Sequence, residues 1–143
     1  MGVTVRSPHY EIDLGYFGFF RLRRKVAELL GEEIGAHYDE MRRTHTFADK
    51  EAEDAFWEQY DARTEFLASQ KPKNTWKVFE FLYAPDCDGK VTYGACKQIL
   101  AVIGDYDDNL LYGYAGHKDC AKFADFKRIM EDCAATKRPM RWS

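Results

Sequence analysis

Three cysteines and a histidine are the residues here whose types and spacing come nearest to a reaction centre. Cys87, His117, Cys120 and Cys133 could ligate zinc, whose usual donors are thiolate sulfur and imidazole nitrogen, and His117-x2-Cys120 has a ligand-like spacing. Cys96 is a further candidate. A structural zinc site ordinarily shows two tight ligand pairs, and the first is missing. Cys96 and Cys133 both fall on apolar helical stripes and read more simply as core residues. No export signal precedes the cysteines, so free thiols are expected ahead of disulfides, and no cofactor is expected.

Acids are the second resource. Asp105, Asp107 and Asp108 crowd the sequence GDYDDN. A small hydrolase could use such a group, but a solvated helix start uses it equally well. There is no phosphate-binding loop, serine elbow or dinucleotide fingerprint. His37 and His45 have no nucleophile or ligand partner nearby in sequence, and read as structural or surface residues. The expectation is a non-catalytic protein-interaction or regulatory domain. A structural zinc module and a small acidic-site hydrolase are the alternatives.

The elements that would position these residues are mostly helical. The chain has 143 residues, 45% of them hydrophobic and 15% aromatic, enough apolar side chain to offset the entropy of ordering one domain. Residues 1–15 are irregular, with room for one or two short strands, because Val3 and Val5 alternate with polar neighbours. Phe19, Leu22, Val26, Leu29 and Leu30 recur at helical spacing. That pattern resumes after Gly31 through Ile34, Tyr38 and Met41, as one bent helix or two. Arg21, Arg23, Arg24 and Lys25 form a basic cluster beside it, read as a solvated face paired with glutamates. Residues 49–68 form a second helix, with Thr46 or Asp49 as its cap. Its inward stripe is Ala52, Ala55, Phe56, Tyr60, Thr64 and Leu67. Residues 16–68 are thus an N-terminal helical part of a single domain spanning 1–143.

The second half carries a more specific pattern. A helix through Trp76, Phe79 and Leu82 is followed by Ala84-Pro85-Asp86-Cys87-Asp88-Gly89-Lys90-Val91-Thr92, and then by the stripe Cys96, Ile99, Leu100, Ile103. This stretch resembles an EF-hand: helix, acidic turn with glycine, one hydrophobic strand residue, capping Thr, helix. With Gly89 at loop position six, Asp86 and Asp88 fall at three and five, but Ala84 and Ala95 stand at one and twelve, where the calcium pattern wants carboxylates. Asp86 and Asp88 are therefore expected as vestigial loop acids in a turn. Aligning Phe126 with Cys96 gives a weak second copy, in which residues 107–114 supply a short incoming helix and Phe123, Phe126, Ile129, Met130 and Cys133 the outgoing one. The fold expected is mainly α. Residues 74–135 are either a degenerate EF-hand-like pair with a minimal two-strand pairing between the loops or part of an unrelated helical bundle.

The segments Asp86-Cys87-Asp88-Gly89, Cys96-Lys97, Tyr112-Gly113-Tyr114 and Phe126-Lys127 are also similar to small uncharacterised bacterial and phage-associated proteins. That resemblance implies no activity. The aromatics exceed what the helical stripes need, so Trp76, Tyr83, Tyr112, Tyr114 and Trp142 are candidates for contact with a protein partner or a second copy. The basic tail, residues 137–143, is expected to be peripheral, with Trp142 docking back. A net charge of -3 makes nucleic acid an unlikely principal partner. No apolar run suits a membrane span, and a cytoplasmic location is expected.

Overall fold

The computed structural model describes residues 2–106, 110–113 and 120–143. Tyr114 and His117, together with Asp107 and Asp108, lie outside them.

The chain opens with a hairpin, β1 (Thr4–Arg6) and β2 (Glu11–Asp13). Helices α1 (Gly15–Leu30) and α2 (Glu32–Glu40) follow. They are separate helices, because Gly31 leaves the helical conformation and takes an extended one. Helix α3 (Lys50–Ser69) starts at Asp49, whose carboxylate accepts from Ala52 N at 2.8 Å as an N-cap should. A 3₁₀ turn at Lys73–Thr75 leads into α4 (Trp76–Leu82). Then come β3 (Gly89–Val91) and α5 (Tyr93–Ile103), the latter capped by Thr92. The chain ends with β4 (Leu111–Tyr112), β5 (Ala121–Lys122), α6 (Phe123–Thr136) and β6 (Met140–Trp142). Among the described residues no helix is long and apolar enough to cross a membrane.

The molecule is mainly helical, but not purely so. A four-stranded antiparallel sheet, in the order β2-β1-β6-β3, makes it a mixed α/β fold. The tail read as peripheral is instead an inner strand: Val5 faces Trp142 across β1–β6, and Gly89 faces Trp142 across β3–β6. The two loop strands of the helix–loop–helix segments do not pair with each other, since β3 joins β6 and β5 joins β4. The stretch expected to supply an incoming helix carries strand β4 in its described part. The offset that matches Cys96 with Phe126 also matches the helix starts Tyr93 and Phe123, each directly after or one residue beyond a short strand.

One buried cluster joins both ends of the chain, from Val3 to Trp142, through the inner faces of α1, α4, α5 and α6. Trp142 is its largest member. Its ring lies 5.3 Å from that of Phe19 and 5.8 Å from that of Phe81, and its indole N–H donates to Pro85 O at 2.8 Å. An aromatic ring this large, with its polar tip satisfied, anchors a small core strongly.

Candidate interaction surface

Helix α3 is the least embedded of the α-helices. Only Tyr60 and Leu67 on it are buried, although the stripe expected from sequence ran its whole length. Phe56 and Trp57 are half-buried, Ala55 is exposed and Phe66 is 51% exposed. Tyr60 and Thr64 hold the helix to His37 of α2 and Tyr60 to Tyr83, just beyond α4, whereas Phe56 and Trp57 pack against the loop that precedes the helix.

That loop supplies His45 and Phe47, which close an aromatic ribbon along α3. His45 lies 4.4 Å from Phe56 and Phe47 lies 5.4 Å from Phe56, ring centre to ring centre. Phe56 and Trp57 meet edge to face at 5.0 Å, and Trp57 and Tyr60 at 5.5 Å. These are favourable geometries for aromatic pairs. Phe47, Phe56 and Trp57 are not part of the main buried cluster.

A hydrogen-bonded seam fastens the inner end of the ribbon. The Tyr60 hydroxyl donates to His37 O at 2.8 Å and so accepts from Tyr83 Oη at 3.2 Å. Thr64 donates to Tyr60 O, which leaves its oxygen to accept from His37 Nε2 at 2.7 Å. His37 also stacks on Tyr60 at 3.9 Å. Burial, aided by the nearby Arg63 charge, holds the His37 imidazole below its ordinary pKa. Burial likewise raises the Tyr60 and Tyr83 phenols. His37 is thus structural, as its sequence context implies.

The other sequence candidates are scattered. Trp76 is 46% exposed, with its indole N–H on Lys71 O at 3.3 Å, and Tyr83 is half-buried in the seam. Tyr112 and Trp142 are core residues, at 3% and 1% exposure, so they do not present a contact surface. Their apolar rings fill the space between the helices and the sheet.

Among the cysteines, Cys96 and Cys133 are fully buried, and the Cys96 thiol is held protonated by the neighbouring Cys133 and by burial. Cys87 is exposed, with its sulfur 3.2 Å from Tyr16 Oη, and Cys120 is half-buried. Among the described residues no three Cys, His, Asp or Glu side chains converge as a metal site would require.

The acidic loop has an unexpected occupant. Arg23, assigned from sequence to a solvated basic face, is 2% exposed. Its guanidinium donates to Phe81 O at 3.1 Å, Leu82 O at 3.2 Å and Ala84 O at 2.8 Å, and pairs with Asp86. It therefore caps the C-terminus of α4, where carbonyls are left without helical partners. Of the other cluster members, Arg21 is exposed, Arg24 pairs with Glu28 and Asp39, and Lys25 with Glu28. Asp88 adopts a left-handed conformation, φ 51°, consistent with a turn role. The sequence did carry a signal for Arg23, which stands one turn after Phe19 and three residues before Val26, on the inward stripe itself.

The fold and its surfaces define a mainly helical domain closed by a small sheet, with an aromatic ribbon left half-exposed on its outermost helix. Compared with protein-family models, with curated proteins and with solved structures, the chain matches none.

Proposed function

We propose that this protein is a non-catalytic interaction domain, and that the ribbon formed by His45 and Phe47 of the preceding loop with Phe56 and Trp57 of α3 is the surface that docks a protein partner. The observation that carries this reading is the position of the ribbon outside the core, on a helix anchored mainly at its other end. Tyr- and Trp-rich patches of rigid, half-exposed rings are favoured at protein contacts, since they bury much area at little entropic cost. The acidic loop supports the metal-independent part of the reading. Residues 76–103 run helix, acidic turn, short strand and helix, and the oxygens of Ala84 and Asp86 in that turn are engaged by the Arg23 guanidinium.

The test compares Phe56→Ser and Trp57→Ser with the native protein in quantitative affinity capture from the source cells. A partner held in stoichiometric amount by the native protein, and binding it one to one when purified, should be lost from both variants. Circular dichroism and denaturation midpoints must stay native-like. Identical capture by native protein and variants would remove the ribbon from consideration.

A further inference from the structure

The solvent face of the sheet carries a row of cations. Arg6 on β1 stands directly opposite Arg141 on β6, and Arg141 directly opposite Lys90 on β3. Neighbouring strands lie only about 4.8 Å apart, so these charges crowd one another. Like charges placed opposite each other across strands are destabilising, and any neutral polar residue would serve the fold as well.

Neutralisation within the chain is partial. Arg6 pairs with Glu11 at 3.4 Å and also donates to Ser143 Oγ at 2.7 Å. Among the described residues, Arg141, Lys90 and Arg138 have no carboxylate partner. The other nearby acids are Asp88, Glu80 and Asp132, and Glu80 lines a separate hollow with Lys90 and Pro139. Asp88 stands at the rim towards Lys90. Asp132 is taken up by His9 at 2.8 Å.

We propose that this face binds a compact oligophosphate, a ligand with two or three linked phosphate groups. A hollow of about 460 Å³ is lined by Arg6, Ser7, Pro8, Arg138, Pro139 and Arg141, three guanidinium groups with no carboxylate among them. A second hollow of similar size shares Arg6 and Arg141 and extends to Lys90. Guanidinium forks match phosphate oxygens bidentately. A single carboxylate would neutralise only one of the cations, whereas a short phosphate chain supplies several charges in one ligand. The first hollow has no aromatic side chain and only proline as apolar lining, unlike the apolar centre of a protein contact. Recognition therefore falls on the phosphate chain.

The test is calorimetric titration with inorganic tripolyphosphate at fixed ionic strength, with adenosine triphosphate, orthophosphate and a short DNA duplex titrated in parallel. Saturable one-to-one tripolyphosphate binding is expected, weakened on the order of tenfold by Arg138→Ala and by Arg141→Ala and unchanged by Lys97→Ala, a cation on α5. Adenosine triphosphate should bind equally if the chain alone is recognised, and more tightly if a nucleotide is the source. Arg138 lies outside the strands, so its variant keeps the test informative if Arg141→Ala unfolds. Absence of saturation overturns the proposal. So does an equal loss in Lys97→Ala, orthophosphate binding as tight as tripolyphosphate, or duplex binding that tripolyphosphate does not compete.

Discussion

Arg23, buried on α1, is ion-paired with Asp86 in the loop that leaves α4. The same guanidinium takes three backbone carbonyls, and so ties α1 to the turn between α4 and β3. Arg23→Ala should lower stability by about 3–5 kcal/mol, because the carbonyls at the end of α4 lose their donors inside the protein. Asp86→Asn should cost less, about 1 kcal/mol, since Asp86 is 54% exposed and water can replace it. Arg23→Lys should not restore stability, because an ammonium cannot reach the same fork of oxygens. Urea denaturation of the three variants measures this order. An Asp86→Asn loss equal to that of Arg23→Ala would place the main role in the ion pair instead of the cap.

Gly89 meets Trp142 across the β3–β6 ladder, and a Cβ built on Gly89 would lie 2.2–2.5 Å from the indole ring. The ring is held by the core and by Pro85 O, so it has nowhere to move. Gly89→Ala should therefore cost about 1–3 kcal/mol as overpacking. Trp142→Ala should cost about 3–5 kcal/mol as a cavity. Combining the two should relieve the clash, so the double variant should be less destabilised than the sum of the singles. A double-mutant cycle in chemical denaturation reads the coupling, and strict additivity would count against the contact.

His37 predicts an acid dependence at the α2–α3 seam. Its folded pKa lies below the ordinary value of 6.5, so the unfolded chain takes up a proton that the folded chain refuses. Stability from this group is complete above pH 6.5 and declines as pH falls below it towards the folded pKa. His37→Gln keeps a side chain able to reach Thr64 but cannot titrate. Denaturation midpoints measured between pH 5 and 8 should show a slope below pH 6.5 that is reduced in His37→Gln. Parallel curves for the two proteins would contradict the assignment.

The cysteines should differ sharply in reactivity. Cys87 is exposed, whereas Cys96 and Cys133 are fully buried. A thiol reagent should modify Cys87 in the native protein and reach Cys96 and Cys133 only on unfolding. Mass spectrometry of peptides after brief labelling checks this. Early labelling of Cys133 would show that α5 and α6 separate readily.

The sequence by itself determined the local structure wherever periodicity and caps agree. The helical stripes of Phe19, Leu22 and Val26, of Ile99 and Ile103, and of Phe126, Ile129 and Met130 are inward as expected. Asp49 and Thr92 cap the helices they precede. The break at Gly31 and the absence of end carboxylates from the acidic loop were also legible, because each depends on a few neighbouring residues. Tertiary structure alone decided the rest. No local rule says that the last three-residue strand inserts between β1 and β3, since such short strands have meaning only through their partners. Arg23 stands on the inward stripe and Trp142 was expected to dock back, but the oxygens and rings that receive them come from segments remote in sequence. The half-exposed ribbon on α3 follows from where the rest of the chain stops covering that helix, and the cation row exists only because register aligned Arg6, Arg141 and Lys90.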